Sequence, residues 1–332
     1  MVKRSLSSVG ALSACLYTVL TWACLPGACQ DPVANSVTVP TQILKTGINL
    51  DDTSLSANGA QLAEITGLAP VLTRLQKLRG QVSDIKGAPP TLENLSLRQD
   101  YTDAQMEARQ IIEQTGLEID FVLAEIGAER NLYGELLDSL VRKRDALVAR
   151  SNASSYYTNG VLWAVGEAFD IPTYRYPRLS IPSGTISILA GVVPSFFSLW
   201  AMHQYNGKKM TSEEDPNMLA RIFDYQTPKE VSYPKTVLAF LRDVPPDGSS
   251  KKARKEQLID RWIADNNIPS FTDRKNKALI DAITATVSQP KGLSIETLTA
   301  RQDMLEQLAG EVMKMKRMLL ELSLVAKGDK TI

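Results

Sequence analysis

Histidine and cysteine are almost missing. In 332 residues there is one histidine, His203, and the three cysteines, Cys15, Cys24 and Cys29, all stand near the N-terminus. If that N-terminus is removed as an export segment, at most one thiol survives, so no internal disulfide can form. A zinc site, a Cys-His nucleophile and a Ser-His-Asp triad then lack their residues. Exported domains often lean on disulfides, so stability must come from helix packing, oligomerisation or a membrane.

An excess of either charge is missing too. Lys plus Arg and Asp plus Glu both number 37, which removes the basic footprint that nucleic-acid binding requires. Aromatics make up only 6% of the chain, a poor supply for a sheet-rich enzyme core. Neither G-x-x-x-x-G-K-[ST] nor G-x-G-x-x-G occurs, so nucleotide binding has no motif to rest on. Glu213, Glu214 and Asp215 are clustered but lack the spacing of a calcium loop. These absences predict a non-enzymatic protein without cofactor, metal or small-molecule substrate; an enzyme built on carboxylates alone is the remaining catalytic alternative.

What is present concerns membranes and helices. Lys3 and Arg4 precede an uncharged run over residues 11–25, and Pro26 with small residues follows. That is the layout of an export signal, assigned to residues 1–30. Residues 31–60 are polar and aperiodic and read as a flexible lead.

A second uncharged run covers residues 179–207, and its centre, 184–202, is almost wholly apolar. Its length is close to the roughly 20 residues of a transmembrane helix. Ile186, Leu189, Val192, Pro194, Phe197 and Trp200 mark it, and Tyr174, Tyr176, Trp200 and Tyr205 flank it as interfacial aromatics do. Gly191 and Pro194 near the midpoint weaken a straight span. Three arrangements are open: a single crossing, a re-entrant or interfacial hairpin, and a hairpin buried in a soluble bundle. A single crossing after an exported N-terminus places residues 31–178 outside the cytoplasm and 208–332 within it.

Heptad patterns surround this run. Val71, Leu75, Leu78, Val82 and Ile85 form a seam within a helix expected over 60–86. A longer helix, expected over 102–150, carries Ile112, Ile119, Val122, Ile126, Tyr133, Leu136, Leu140 and Leu147 in one frame, with Thr115, Glu129 and Lys143 as polar exceptions. It would reach about 70 Å. Residues 152–159 are polar enough to read as a break, residues 160–169 are a short apolar helix candidate carrying Trp163, and Pro172, Pro177 and Pro182 make 152–183 a linker. Short helices are expected over 216–224, 234–243, 255–265 and 273–288, and Lys251, Lys252, Arg254 and Lys255 form a basic patch that could meet anionic headgroups.

The last helix is expected after Ser294, with the cleanest seam in the chain: Leu305, Leu308, Val312, Met315, Leu319 and Leu322. It invites self-association, or pairing with another envelope protein, through a coiled coil. The sequence therefore predicts a mainly α protein in which coiled-coil-like helices over 61–151 lie outside the cytoplasm, a membrane segment lies at 184–202, and a helical region fills 208–332. Its expected place is the membrane of the cell envelope, with the lipid bilayer as one partner and a scaffold as its role. The alternative is a soluble exported helical binding module in which 184–202 is buried core.

Overall fold

The computed structural model describes residues 48–49, 51–212, 214–227, 232–248, 250–265, 268, 271–290 and 292–332, the side chain of Leu179 excepted. The described residues all belong to one compact unit, 44–332. The expected export segment and most of the expected lead lie outside them. The fold is mainly α: α1 (Ala57–Ile65), α2 (Ala69–Asp84), α3 (Leu92–Asp170), α4 (Ser180–Gln204), α5 (Lys235–Arg242), α6 (Arg254–Ala264), α7 (Lys277–Thr284) and α8 (Ile295–Lys327). Among the described residues extended pairing is confined to isolated bridges, Ser54 with Thr331 and Met210 with Leu293.

Helix starts follow capping chemistry. The hydroxyls of Ser56, Thr91 and Ser294 accept from the backbone N–H groups of Gly59, Asn94 and Thr297, at 3.0, 3.3 and 3.1 Å, and such a cap is worth about 1 kcal/mol. Gly328, at φ 101°, ends α8 in the left-handed conformation that favours glycine. The helix expected over 60–86 is divided: Gly67, at φ 73°, and Pro70, in the first turn of α2, separate α1 from α2.

The body is built on α3 and α8, which lie antiparallel. Arg130 pairs with Glu306 at 3.0 Å, Lys316 bonds Asp120, and Gln302 donates to the Arg130 carbonyl at 3.1 Å. The α2 helix returns along the start of α3, with Arg74 and Glu107 3.7 Å apart. The chain from Thr53 to Leu55 is pinned to the C-terminus: Leu55 N–H donates to the Thr331 carbonyl at 2.9 Å and Thr331 N–H to that of Thr53 at 2.7 Å. The last residues of the expected flexible lead are thus part of the fold. On one side α5, α6 and α7 enclose an aromatic cluster in which the Phe223 ring lies 6.0 Å from Trp262 and 5.6 Å from Phe271.

Three corrections follow. First, α3 runs unbroken for 79 residues, about 120 Å. The polar stretch 152–159 is helical rather than a break, because no Gly or Pro interrupts it and α4 packs alongside. Most of the linker expected over 152–183 is likewise helix or short 3-10 turn. Second, the long-helix seam is not continuous. Ile119, Val122, Ile126, Tyr133 and Leu140 are buried, whereas Leu136 and Leu147 are exposed. A seven-residue repeat drifts about 20° per heptad on a straight helix, so this seam rotates off the core as α3 advances.

Third, the C-terminal seam has no need of a second chain. Leu305, Leu308, Val312, Met315, Leu319 and Leu322 are all buried within the body. The same core holds Leu72 and Leu75 of α2, Ile119 and Ile126 of α3 and Trp262 of α6. Each such side chain contributes roughly 1.5–3 kcal/mol on burial. Because α8 and the first part of α3 share one core, residues 208–332 cannot lie across a bilayer from 51–150 without dismantling it. The single crossing expected from the sequence does not fit this fold.

Candidate membrane-facing hairpin

Beyond Leu140 the long helix leaves the core, and α4 folds back along it. Three contacts set the antiparallel register: the Arg144 guanidinium stands 5.6 Å from the centre of the Tyr205 ring, Ser155 donates to the Pro194 carbonyl at 3.0 Å, and Ser183 donates to the Gly166 carbonyl at 3.4 Å. Two 3-10 turns, Ile171–Tyr174 and Pro177–Leu179, close the tip, each with a proline in its first turn. At the other end Gly207, at φ 70°, turns the chain off α4 against Ile295, and Met210 pairs with Leu293 to rejoin the body.

The hairpin is uncharged over most of its length. No Asp, Glu, Lys or Arg occurs in 151–166 of α3 or in 179–207. Charge returns at the tip, with Glu167, Asp170, Arg175 and Arg178, and at the base, with Arg142, Lys143, Arg144, Arg150, Lys208 and Lys209. From Arg150 to Asp170 the helix rises about 30 Å, which is the thickness of a bilayer's hydrocarbon core.

Solvent faces most of this apolar surface. Only 11% of the most apolar stretch of α4 is buried, so the run is not the core of the bundle. Of the residues that marked it in the sequence, Leu189, Val192 and Trp200 are exposed, while Ile186, Pro194 and Phe197 are half-buried. Aromatic side chains stand at both ends, with Tyr174 and Tyr176 at the tip and Trp200 and Tyr205 near the base, all exposed.

The hydroxyls of α4 are satisfied from within the hairpin. Thr185, Ser187, Ser195 and Ser198 each donate to the carbonyl four residues earlier, at 2.7 to 3.0 Å. Ser180 bonds the Pro177 carbonyl and Ser183 turns to Gly166 and Asp170. Pro194 supplies no N–H, yet its own carbonyl accepts from both Ser155 and Ser198. Hydroxyls bonded in this way carry little desolvation cost into hydrocarbon.

Elsewhere the surface is less suggestive. The basic patch is dispersed: Arg254 is buried with its guanidinium 4.0 Å from the Phe240 ring centre, Lys252 pairs with Asp260, and Lys255 pairs with Asp224 at 2.6 Å. Lys251 and Lys252 remain exposed. His203 is exposed in the last turn of α4. Among the described residues no three His, Cys, Asp or Glu side chains converge as metal ligands, and Glu213 lies outside them. Two grooves beside the start of α3, one along Leu92, Ser96 and Asp100 and one along Val82, Lys86 and Arg98, are open to solvent.

One buried polar cluster sits where a seam residue was polar. Glu129 accepts from the Met218 N–H at 2.9 Å, and Asn217 donates to Tyr133 Oη at 3.1 Å and to the Ile283 carbonyl at 2.8 Å. The Arg301 guanidinium lies 5.1 Å from the Tyr133 ring centre and donates to the Ala282 carbonyl. Burial pushes the Glu129 carboxyl up to about 7, against the opposing effect of the Met218 N–H. The groups join α3, α8 and the chain between α4 and α5, so they specify packing rather than an open reaction site.

Of the second arm of the hairpin, only the apolar helix over 160–169 was legible in the sequence, neither joined to the long helix nor paired with 184–202. Its signal was the lack of charge over 151–166, which mirrors that over 179–207. Comparison with protein-family models, curated proteins and solved structures finds no match to the chain.

Proposed function

We propose that this protein is a membrane-tethered, non-enzymatic helical scaffold whose tether is the hairpin of α3 and α4. The observation that carries this reading is a 25-residue apolar helix whose most apolar stretch is only 11% buried by its own fold. Burial of such a surface is favourable at about 25 cal/mol per Å², and lipid is the environment that accepts it along its whole length. Two antiparallel crossings keep the body on one side, as the shared core of α3 and α8 requires. The basic residues at the base then lie at the headgroups, and the aromatics at both ends take the interfacial positions. Export to the cell envelope remains part of the proposal, supported by Lys3, Arg4 and the uncharged run over 11–25.

Cysteine labelling of the full chain in membranes tests this, after Cys15, Cys24 and Cys29 are replaced. Lys86→Cys and Lys327→Cys should react with an impermeant maleimide from the same side, and Thr173→Cys from the other. Labelling of Lys86→Cys and Lys327→Cys from opposite sides would refute the hairpin. Complete release of the wild type by alkaline carbonate would refute the tether.

A further inference from the structure

The two sides of the α3 arm differ. Ala153, Tyr157, Val161, Ala164 and Ala168 form an exposed flank that suits lipid. On the opposite flank, Asn152, Tyr156, Asn159 and Trp163 recur at steps of four, three and four residues. This spacing places them on one stripe of a helix. All four are exposed, Tyr156 at 78% and Trp163 at 52%. Unlike the hydroxyls of α4, the amides of Asn152 and Asn159 make no hydrogen bond among the described residues.

We infer that two copies of this chain pair through that stripe within the membrane, an inference that rests on the tether proposed above. Asn159, about 14 Å along the helix from Arg150, then lies within hydrocarbon, which offers its exposed amide neither donor nor acceptor, and an unmet polar group there is costly. The body fixes the direction of insertion, so two copies lie parallel. A two-fold axis between parallel arms then brings Asn152 opposite Asn152 and Asn159 opposite Asn159. An amide carries both donors and an acceptor, so the stripe is complementary to itself. Tyr156 between the amides and Trp163 beyond Asn159 add large apolar contact area. The most regular apolar seam of the body, the α8 stripe, is consumed within one chain.

Disulfide trapping in membranes, with the native cysteines replaced, tests the pairing. Asn152→Cys and Asn159→Cys should each give a cross-linked dimer under mild oxidation, whereas Val161→Cys on the lipid flank should not. Changing both amides, Asn152→Val with Asn159→Val, should weaken association roughly tenfold, given the modest worth of each interhelical hydrogen bond. Carbonate extraction on the same samples separates the two proposals. Carbonate-resistant protein that fails to cross-link at 152 and 159, or cross-links equally at 161, overturns the pairing and leaves the tether standing. Protein released by carbonate overturns both, since only lipid forces the amides to seek each other.

Discussion

Glu321 and Lys330 form an ion pair at 3.2 Å in which both side chains are buried. Glu321 also accepts from the Ser56 backbone N–H at 2.9 Å and hydroxyl at 2.6 Å, and Lys330 donates to the Asn49 carbonyl at 2.7 Å. The pair thus fastens the beginning of the folded body to its end. Removing one partner would leave the other charge buried and uncompensated, at a cost of about 3 kcal/mol or more. Lys330→Met should lower stability by that amount in a urea titration of the detergent-solubilised chain, and adding Glu321→Gln should recover part of it. Equal stability of Lys330→Met and wild type would show that water reaches the pair.

Gly59 stands against the same carboxylate. A Cβ at this position would lie 2.5 Å from Glu321 Oε2 and 2.7 Å from Leu55 Cδ1. Gly59→Ala should therefore destabilise by about 1–3 kcal/mol, reversing the usual benefit of alanine in a helix. Gly80, also helical, has nothing within 4 Å, so Gly80→Ala should stabilise by about 0.5–1 kcal/mol. Thermal melts of the two variants should move in opposite directions.

Glu129 makes stability depend on pH. Its carboxyl titrates near 7 in the folded chain, mainly through burial, and near 4.5 when unfolded. Between those values the folded state holds the extra proton, so stability is highest below the lower value and falls as pH rises through the upper one. The loss amounts to at most about 3 kcal/mol. Glu129→Gln keeps an acceptor for the Met218 N–H without the charge, and should remove this component of the pH profile. It should exceed wild type in stability at pH 8 and lose that advantage by pH 5; parallel profiles would assign the pH dependence to other groups.

Val312 lies at the centre of the α8 stripe and is fully buried in its own chain. Val312→Asp should consequently unfold the body, at a cost of about 4 kcal/mol, with loss of helical circular dichroism. A variant that kept wild-type helicity and merely changed oligomeric state would mean that the stripe faces another molecule.

How far the fold was legible depended on how local its causes were. The α8 helix could be read because its evidence is local: Ser294 caps it and six apolar residues keep one stripe. What that stripe packs against could not be read, since the choice between a second chain and α2, α3 and α6 depends on contacts distant in sequence. The clasp of Ser56 and Glu321, 265 residues apart, has no local signature. In α3 the polar run over 152–159 imitated a loop, although helix formation needs only that no residue forbid it and that a neighbour support it. The apolar character of α4 was plain from composition, whereas its partner arm was hidden by asparagines and serines. Those same asparagines carry the candidate contact between copies.

Since α3 belongs both to the core, up to Leu140, and to the hairpin, from Ser151 onward, the joint between them is helix and not hinge. Residue count therefore acts as a phase angle. Inserting one residue between these points would turn the hairpin against the core by about 100° and lengthen the arm by about 1.5 Å. The azimuth of the body about the hairpin is in this way written into the helical repeat itself.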